Sequence, residues 1–367
     1  MSLKGVASDF VTDIKNFFSV GRVLGVDIGT ASVKVVELAR KGEIISLENY
    51  GALQMREYLE RGNAALQSGS LKLDEREAVR ALKTLLGEMK PVARKVIASV
   101  PSFAAFSVPI EMPLLSHEET GKSVAFQARQ FIPIPVAEMT LEWEKAGEFE
   151  NVQGQRLQRI LVSAIPNVLI AEYKSIFRAA GLRLVSLEAE SASLARALSS
   201  AGDPPTLMVD IGAESTAMVV MHGAAVQQVG QTDYGSLSLT QALARSLGIS
   251  HTRAEELKRR RGLLTGGAEA ELSTSLLPFL DVIIRECERV RGLYERTYGA
   301  RVERFMLAGG GANLRGIGEY FRERLQLALA EPKPFAHIPY PSGLEPAMRL
   351  LNREFAVAAG LALRFFR

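Results

Sequence analysis

The chain has 367 residues, more than one hydrophobic core ordinarily organises, so two or more domains are expected. With 44 Lys+Arg against 41 Asp+Glu the formal charge is only +3, which gives no electrostatic case for gripping nucleic acid. The single cysteine, Cys287, excludes an internal disulfide framework, and His117, His222, His251 and His337 are too scattered for a zinc site.

No run is apolar enough to span a bilayer and no secretory leader is legible, so a cytoplasmic protein is expected, one still able to visit a membrane surface. Residues 8–18, SDFVTDIKNFF, set Phe10, Val11, Ile14, Phe17 and Phe18 at helical spacing behind Ser8 as N-cap. This helix either packs on its own domain or meets a membrane or partner, and Asp9 and Asp13 weigh against lipid. The stretch 25–38, GVDIGTASVKVVEL, reads as strand, tight turn, strand, and 43–55 continues the sheet. A helix follows at 74–89, with Val79, Leu82, Leu85, Leu86 and Met89 on one side.

The texture then changes. Residues 94–112 hold two strand-like runs, 118–131 is a short helix stopped by Pro133 and Pro135, and the polar stretch 148–158 reads as a hairpin loop. LQRILVSAIP is a further strand, and Asn167 is placed to cap a helix that ends at Gly181. Residues 94–183 are therefore expected to form a compact α+β insert. A connecting helix at 188–198 and the break Asp203-Pro204-Pro205 lead to 208–221, MVDIGAESTAMVVM. Helices are expected at 236–247 and 251–261, and a long one at 276–298 turns Leu280, Ile283, Ile284, Cys287, Val290 and Tyr294 inward. On that stripe Cys287 is a small core residue rather than a nucleophile. The basic run Lys258 to Arg261 reads as a solvated helix face. After the strand and turn of FMLAGGGANLRGI, four prolines make 331–342 irregular, and EFAVAAGLAL is a closing helix whose small residues suit close packing.

Two of these stretches are one motif used twice. With an offset of 183 (210 − 27), Val26-Asp27-Ile28-Gly29 falls on Val209-Asp210-Ile211-Gly212, and Ser32 on Ser215. A repeated hairpin implies two related halves facing each other across a cleft. Gly29 and Gly212 lack a Cβ, so backbone N–H groups can approach an anion and form a donor nest. Asp27 and Asp210 stand at strand ends, where a carboxylate can hold Mg2+, through its waters because that ion sheds water reluctantly. Lys34 adds a positive charge to the first copy, where the second has Ala217. No Walker loop is present, and both copies lead into strands, unlike a Rossmann turn. Gly309, Gly310 and Gly311 form a third turn between strand and helix, flat enough to pass a purine or its α-phosphate, with Asn313 at the helix start. Glu255 and Lys258, three apart on a helix, either bracket a ribose or make an ordinary surface pair.

The order of these parts (phosphate turn, connecting helix, second phosphate turn, E-x-x-K helix, adenosine turn, small-residue helix) resembles the actin-like ATPase superfamily. Within it, GVDIGTASVKVVEL, QFIPIPVAEMTLEWE, VDIGAES and FAVAAGLALR resemble the PilM family of type IV pilus assembly proteins, relatives of the division protein FtsA, from Leu24 onward. The resemblance implies an α/β fold of duplicated ribonuclease H-like domains with an inserted α+β 1C subdomain of the SHS2 type. It implies subdomain 1A at 1–93 and 184–204, 1C at 94–183, 2A at 205–248 and 300–367, and 2B at 249–299. ATP with Mg2+ is implied in the cleft, with Thr30, Ala31, Ser32 and Lys34 on one side of the phosphates and Gly212, Ala213, Glu214 and Ser215 on the other. Glu188 and Glu190 stand where relatives carry the residue that orients attacking water, and a surface Glu is the simpler account of either. A carboxylate aimed at the γ-phosphate would repel it, so Glu214 is expected to point away or toward the metal.

Implied partners are the cytoplasmic N-terminus of PilN in a groove between 1A and 1C, with PilO and PilP indirectly. Contacts to the pilus motors and self-association are left open, and membrane association runs through partners at the inner face of the inner membrane. The expected function is an ATP-binding scaffold of that assembly complex, with at most slow hydrolysis. The alternative is an FtsA-like filament-forming division protein, against which residues 363–367 show no linker or amphipathic helix. A sugar or acetate kinase would need an evident acid or base and a substrate pocket.

Overall fold

The computed structural model describes residues 21–55, 74–101, 104–132, 134–151, 153–263 and 270–366, so the helix expected at 8–18 and Pro133 lie outside the described residues. Strands β1 (Gly21–Ile28), β2 (Ser32–Lys41) and β3 (Ile44–Gln54) form an antiparallel meander. The apolar run of β1 is continuous because both of its faces are covered. Leu24, Val26 and Ile28 face one core and Val23 the other. Helix α1 (Glu75–Met89), capped by the Asp74 side chain accepting from the Arg76 N–H, covers the first of these faces. Strand β4 (Lys95–Val100) then lies parallel to β1.

The next elements are β5 (Phe106–Pro113), α2 (His117–Ala128), β6 (Met139–Glu150), β7 (Arg156–Pro166), α3 (Asn167–Ala179), β8 (Arg183–Ala189) and α4 (Glu190–Leu198). Ser116 and Glu119 form a reciprocal capping box at the start of α2. The first sheet has the order β3-β2-β1-β4-β8, and a separate three-stranded sheet has the order β5-β7-β6. The separate layer thus spans 106–166 rather than 94–183. β4 is claimed by parallel pairing with β1, and α3 by the core it shares with α1. Asn167 does not cap α3 with its side chain; its Oδ1 accepts from Thr140 Oγ1 at 2.8 Å. The β6–β7 loop is shorter than expected, because the Asn151 N–H bonds Gln155 O at 3.0 Å and closes the hairpin there.

The second half repeats the plan with β9 (Thr206–Ile211), β10 (Thr216–His222) and β11 (Ala225–Thr232), then α5 (Ser236–Leu247), α6 (His251–Arg261) and α7 (Ala270–Tyr298). The chain closes with β12 (Arg304–Ala308), α8 (Ile317–Leu325), β13 (Ala328–Ala330), α9 (Met348–Glu354) and α10 (Ala356–Arg364). Its sheet has the order β11-β10-β9-β12-β13, with the same two antiparallel and two parallel pairings in the same order as the first. Cys287 is fully buried on α7, and burial pushes its thiol well above the ordinary range.

Helix α10 was expected with the second half, but it lies against β1 and α4 of the first. A Cβ on Gly25 would stand 2.0 Å from Ala358 O, and one on Gly360 1.9 Å from Ser193 O, so only glycine permits these approaches. The small-residue sequence of this helix is therefore the condition for joining the halves behind the cleft. The insert meets the second half through Arg159, whose guanidinium lies 4.0 Å from the Phe149 ring centre and 4.4 Å from that of Tyr298. Arg159 also donates to Thr297 O at 2.9 Å, at the C-terminal end of α7.

Candidate functional site

The two repeated turns close in the same way. The Gly29 N–H donates to Ser32 O at 3.0 Å, and the Gly212 N–H to Ser215 O at 3.0 Å. Antiparallel register sets Asp27 opposite Lys34 and Asp210 opposite Ala217, so the charged pair of the first hairpin shares one face of its sheet. Asp27 is buried and oriented by Ser99 of β4, whose Oγ donates to Asp27 Oδ1 at 3.0 Å. The start of α5 holds the second turn: the Ser236 N–H donates to Gly212 O at 2.9 Å and the Leu237 N–H to Ala213 O at 2.8 Å.

The third glycine turn lies against the second. Gly309 has φ +82°, and a Cβ there would stand 2.4 Å from Asp210 Oδ1, so both conformation and space demand glycine. Arg353 fastens this turn at both ends: its O accepts from the Gly309 N–H at 2.9 Å, and its guanidinium donates to Ala312 O at 3.1 Å. Between the halves these turns enclose a cavity of about 430 Å³, a size suited to a nucleotide-sized ligand. Every residue expected at the nucleotide from the sequence lines it, from Asp27 to Asn313. The halves touch across it where Thr30 Oγ1 donates to Glu214 Oε2 at 3.2 Å and Arg259 Nη2 donates to Gln54 Oε1 at 3.4 Å. Glu214, expected to point away or toward a metal, reaches the opposite turn.

Glu255 and Lys258 are not a surface pair, and Lys258 does not belong to a solvated face. Both are buried, 2.6 Å apart. Lys258 Nζ also donates to Ser236 O at 2.8 Å, Ser236 Oγ at 2.7 Å and Thr240 Oγ1 at 2.7 Å, which clamps α6 to the start of α5. Burial, the largest single influence, raises the Glu255 carboxyl, but the charge and hydrogen bond of Lys258 together with bonds from Thr240 and Arg259 outweigh it and hold the group below the ordinary carboxylate range. Burial likewise lowers the Lys258 ammonium, with Glu255 opposing. The pair lines the cavity, but these polar atoms bind one another and α5, so its first role is to fix the wall.

The two carboxylates considered for catalysis part company. Glu188 is on strand β8, not on the connecting helix, and is absent from the cavity wall. It is buried between Arg196, 2.5 and 2.9 Å from its two oxygens, and Arg364, 2.6 Å from Oε2, and therefore cannot serve as a base. Glu190, the first residue of α4, does line the cavity. Burial pushes the neighbouring Tyr173 phenol well above its ordinary range, and the charges of Glu190 and Asp27 add to that.

Sequence reasoning missed Gln54, Ser236, Leu239, Arg259, Leu314, Leu350 and Glu354 on the wall. Gln54 was recoverable, since hairpin register sets it opposite Ser32. Glu354, which accepts from Asn313 Nδ2 at 2.8 Å, gave no signal because its partner is 41 residues away.

Asp27, Glu190, Asp210 and Glu214 line the cavity together with Lys34, while Arg259 and Lys258 are engaged by Glu255. Bare phosphates would meet more negative than positive charge, and hard oxygen ligands suit a divalent cation that offsets it. Among the described residues no helix is long and apolar enough to cross a membrane.

Comparison with known proteins agrees with this architecture. The chain is similar to a solved PilM–PilN type IV pilus biogenesis complex: 25% identity over 94% of this chain and 98% of that chain, TM-score 0.79. In fold it is also similar to the ethanolamine utilization protein EutJ of Carboxydothermus hydrogenoformans, at 17% identity over 93% of this chain and 90% of that one, TM-score 0.55. A further likeness is to MreB5 of Spiroplasma citri bound to AMPPNP, at 14% identity over 93% of this chain and 95% of that one, TM-score 0.50. The fold is that of the actin-like ATPases. A family model described as "Type IV pilus assembly protein PilM" matches residues 25–366, and the chain therefore belongs to the PilM family of type IV pilus assembly proteins.

Proposed function

We propose that this chain is an ATP-dependent scaffold at the cytoplasmic face of the inner membrane, where it binds the N-terminal segment of PilN. The observation that carries this reading is the pair of duplicated turns meeting across one cavity, with Asp27 and Asp210 at the ends of equivalent strands. Asp27 and Asp210 would hold Mg2+ through its waters, and Lys34 with the N–H groups of both turns would bind phosphate oxygens. Gly309 to Gly311, Asn313, Leu314 and Leu350 would receive the nucleoside. A bound cation would offset phosphate charge, and of the two acids considered it is Glu190, on the cavity wall, that would orient water.

Subdomain 1C, drawn at 106–166, is the insert that contacts both halves, and the groove between it and 1A is the proposed seat of the PilN segment. PilO and PilP would join through PilN, and the motors through the same complex. Nucleotide can govern this docking only by binding open and closed clefts with different affinity. The match to the PilM family favours this reading over a filament-forming division protein.

The test is binding of a synthetic PilN N-terminal peptide, followed by fluorescence anisotropy with and without Mg2+–ATP. Saturable binding whose affinity changes with nucleotide supports the reading. Absence of peptide binding under both conditions contradicts it.

A further inference from the structure

The repeated turns differ in one respect that bears on which nucleotide they accept. Under the offset of 183 (214 − 31), Glu214 falls on Ala31, so the second turn presents a carboxylate where the first presents a methyl group. That carboxylate is bonded across the cleft, accepting from Thr30 Oγ1 at 3.2 Å, and Thr30 itself is buried. The tips of the two turns are thus in direct contact. A terminal phosphate clamped by N–H groups of both turns needs the space in which the Glu214 carboxylate now meets Thr30. The carboxylate is an anion held at the closing point of an anion clamp, with Asp27, Glu190 and Asp210 on the same wall and Lys34 as the cation of the first hairpin.

We propose that Glu214 is a built-in competitor of the terminal phosphate and sets the preference of this cleft between nucleoside di- and triphosphate. This rests on the nucleotide reading given above. A diphosphate ends one phosphoryl group earlier and leaves the Thr30–Glu214 contact closed. A triphosphate must open it and displace the carboxylate, against both the lost hydrogen bond and like-charge repulsion. Glu214 is a specificity-determining residue on this account. The ligand with the third phosphate is the one that changes how the two halves face each other.

The test is isothermal titration of Mg2+–ATP and Mg2+–ADP, at fixed free Mg2+, into the wild type, Glu214→Ala and Glu214→Gln. Affinity for ATP should rise about tenfold in Glu214→Ala, because charge and obstruction go together. It should rise less in Glu214→Gln, which keeps an acceptor for Thr30. Affinity for ADP should move by less than about threefold in both variants, which also shows that they are folded. An unchanged ATP-to-ADP ratio overturns the proposal, and so does weaker ATP binding in both variants, since Glu214 would then be helping to hold the metal. If neither nucleotide binds the wild type, the nucleotide reading falls and this inference falls with it.

Discussion

Arg364 on α10 and Glu188 on β8 are joined by a 2.6 Å hydrogen-bonded ion pair, although 176 residues separate them. The same guanidinium donates to both oxygens of Glu142 in the insert, at 2.8 and 3.1 Å. Burial lowers the basicity of Arg364, but its bonds and charge contacts with Glu142 and Glu188 more than compensate and raise it. One side chain thereby holds helix α10, the first sheet and the insert together. Replacing Arg364 by Met should cost about 1.5–3 kcal/mol of stability, the range for a hydrogen-bonded charge, since Glu188 keeps Arg196. Chemical denaturation checks this; a loss under about 0.5 kcal/mol would mean the network is slack.

The Glu255–Lys258 pair makes a prediction with a sign. The folded-state value of Glu255 lies below its ordinary 4.5, so the unfolded chain takes up the proton first as pH falls. The contribution of the pair is fully present above the unfolded value and is lost as pH drops through the lowered folded one. Glu255→Gln leaves Lys258 buried without its counter-charge and should cost about 3 kcal/mol near neutral pH. The gap between wild type and variant, followed by denaturant melts, should narrow on the acid side as pH falls through 4.5 and below. A gap that does not change with pH would show that the charge of Glu255 is immaterial.

Gly25 and Gly360 make a steric prediction. A Cβ at either position meets backbone oxygen, which cannot turn aside as a side chain can. Gly25→Ala and Gly360→Ala should each lower stability by about 3 kcal/mol by forcing α10 away from β1 or α4. Gly343→Ala, where a Cβ meets nothing within 4 Å, is the control and should change little on thermal unfolding. Equal melting of all three would refute the close packing described for α10.

The parts legible in the sequence were those encoded locally. The two hairpins, their 183-residue offset and the third glycine turn depend on alternation and on glycine, which neighbouring residues reveal. The wall residues they contribute were therefore found in advance. What stayed hidden depends on pairing between distant segments. β4 looks like part of the insert until β1 claims it, and α10 looks like part of the second half until Gly25 admits it. Glu188 reads as a candidate base because Arg364 lies far along the chain. Lys258 sits in a run of four basic residues, yet only the other three are outside the buried set, because Ser236 and Thr240 of α5 draw it inward.

The central claim is that the facing turns bind a magnesium–nucleotide, and calorimetric titration of Mg2+–ATP into wild type, Lys34→Ala and Glu188→Gln tests it most directly. Saturable one-to-one binding is predicted, weakened about tenfold or more in Lys34→Ala by loss of a phosphate cation. Glu188→Gln, which is off the cavity wall, should retain the wild-type affinity. No heat of binding at any Mg2+ concentration, or equal affinity in wild type and Lys34→Ala, would contradict the account.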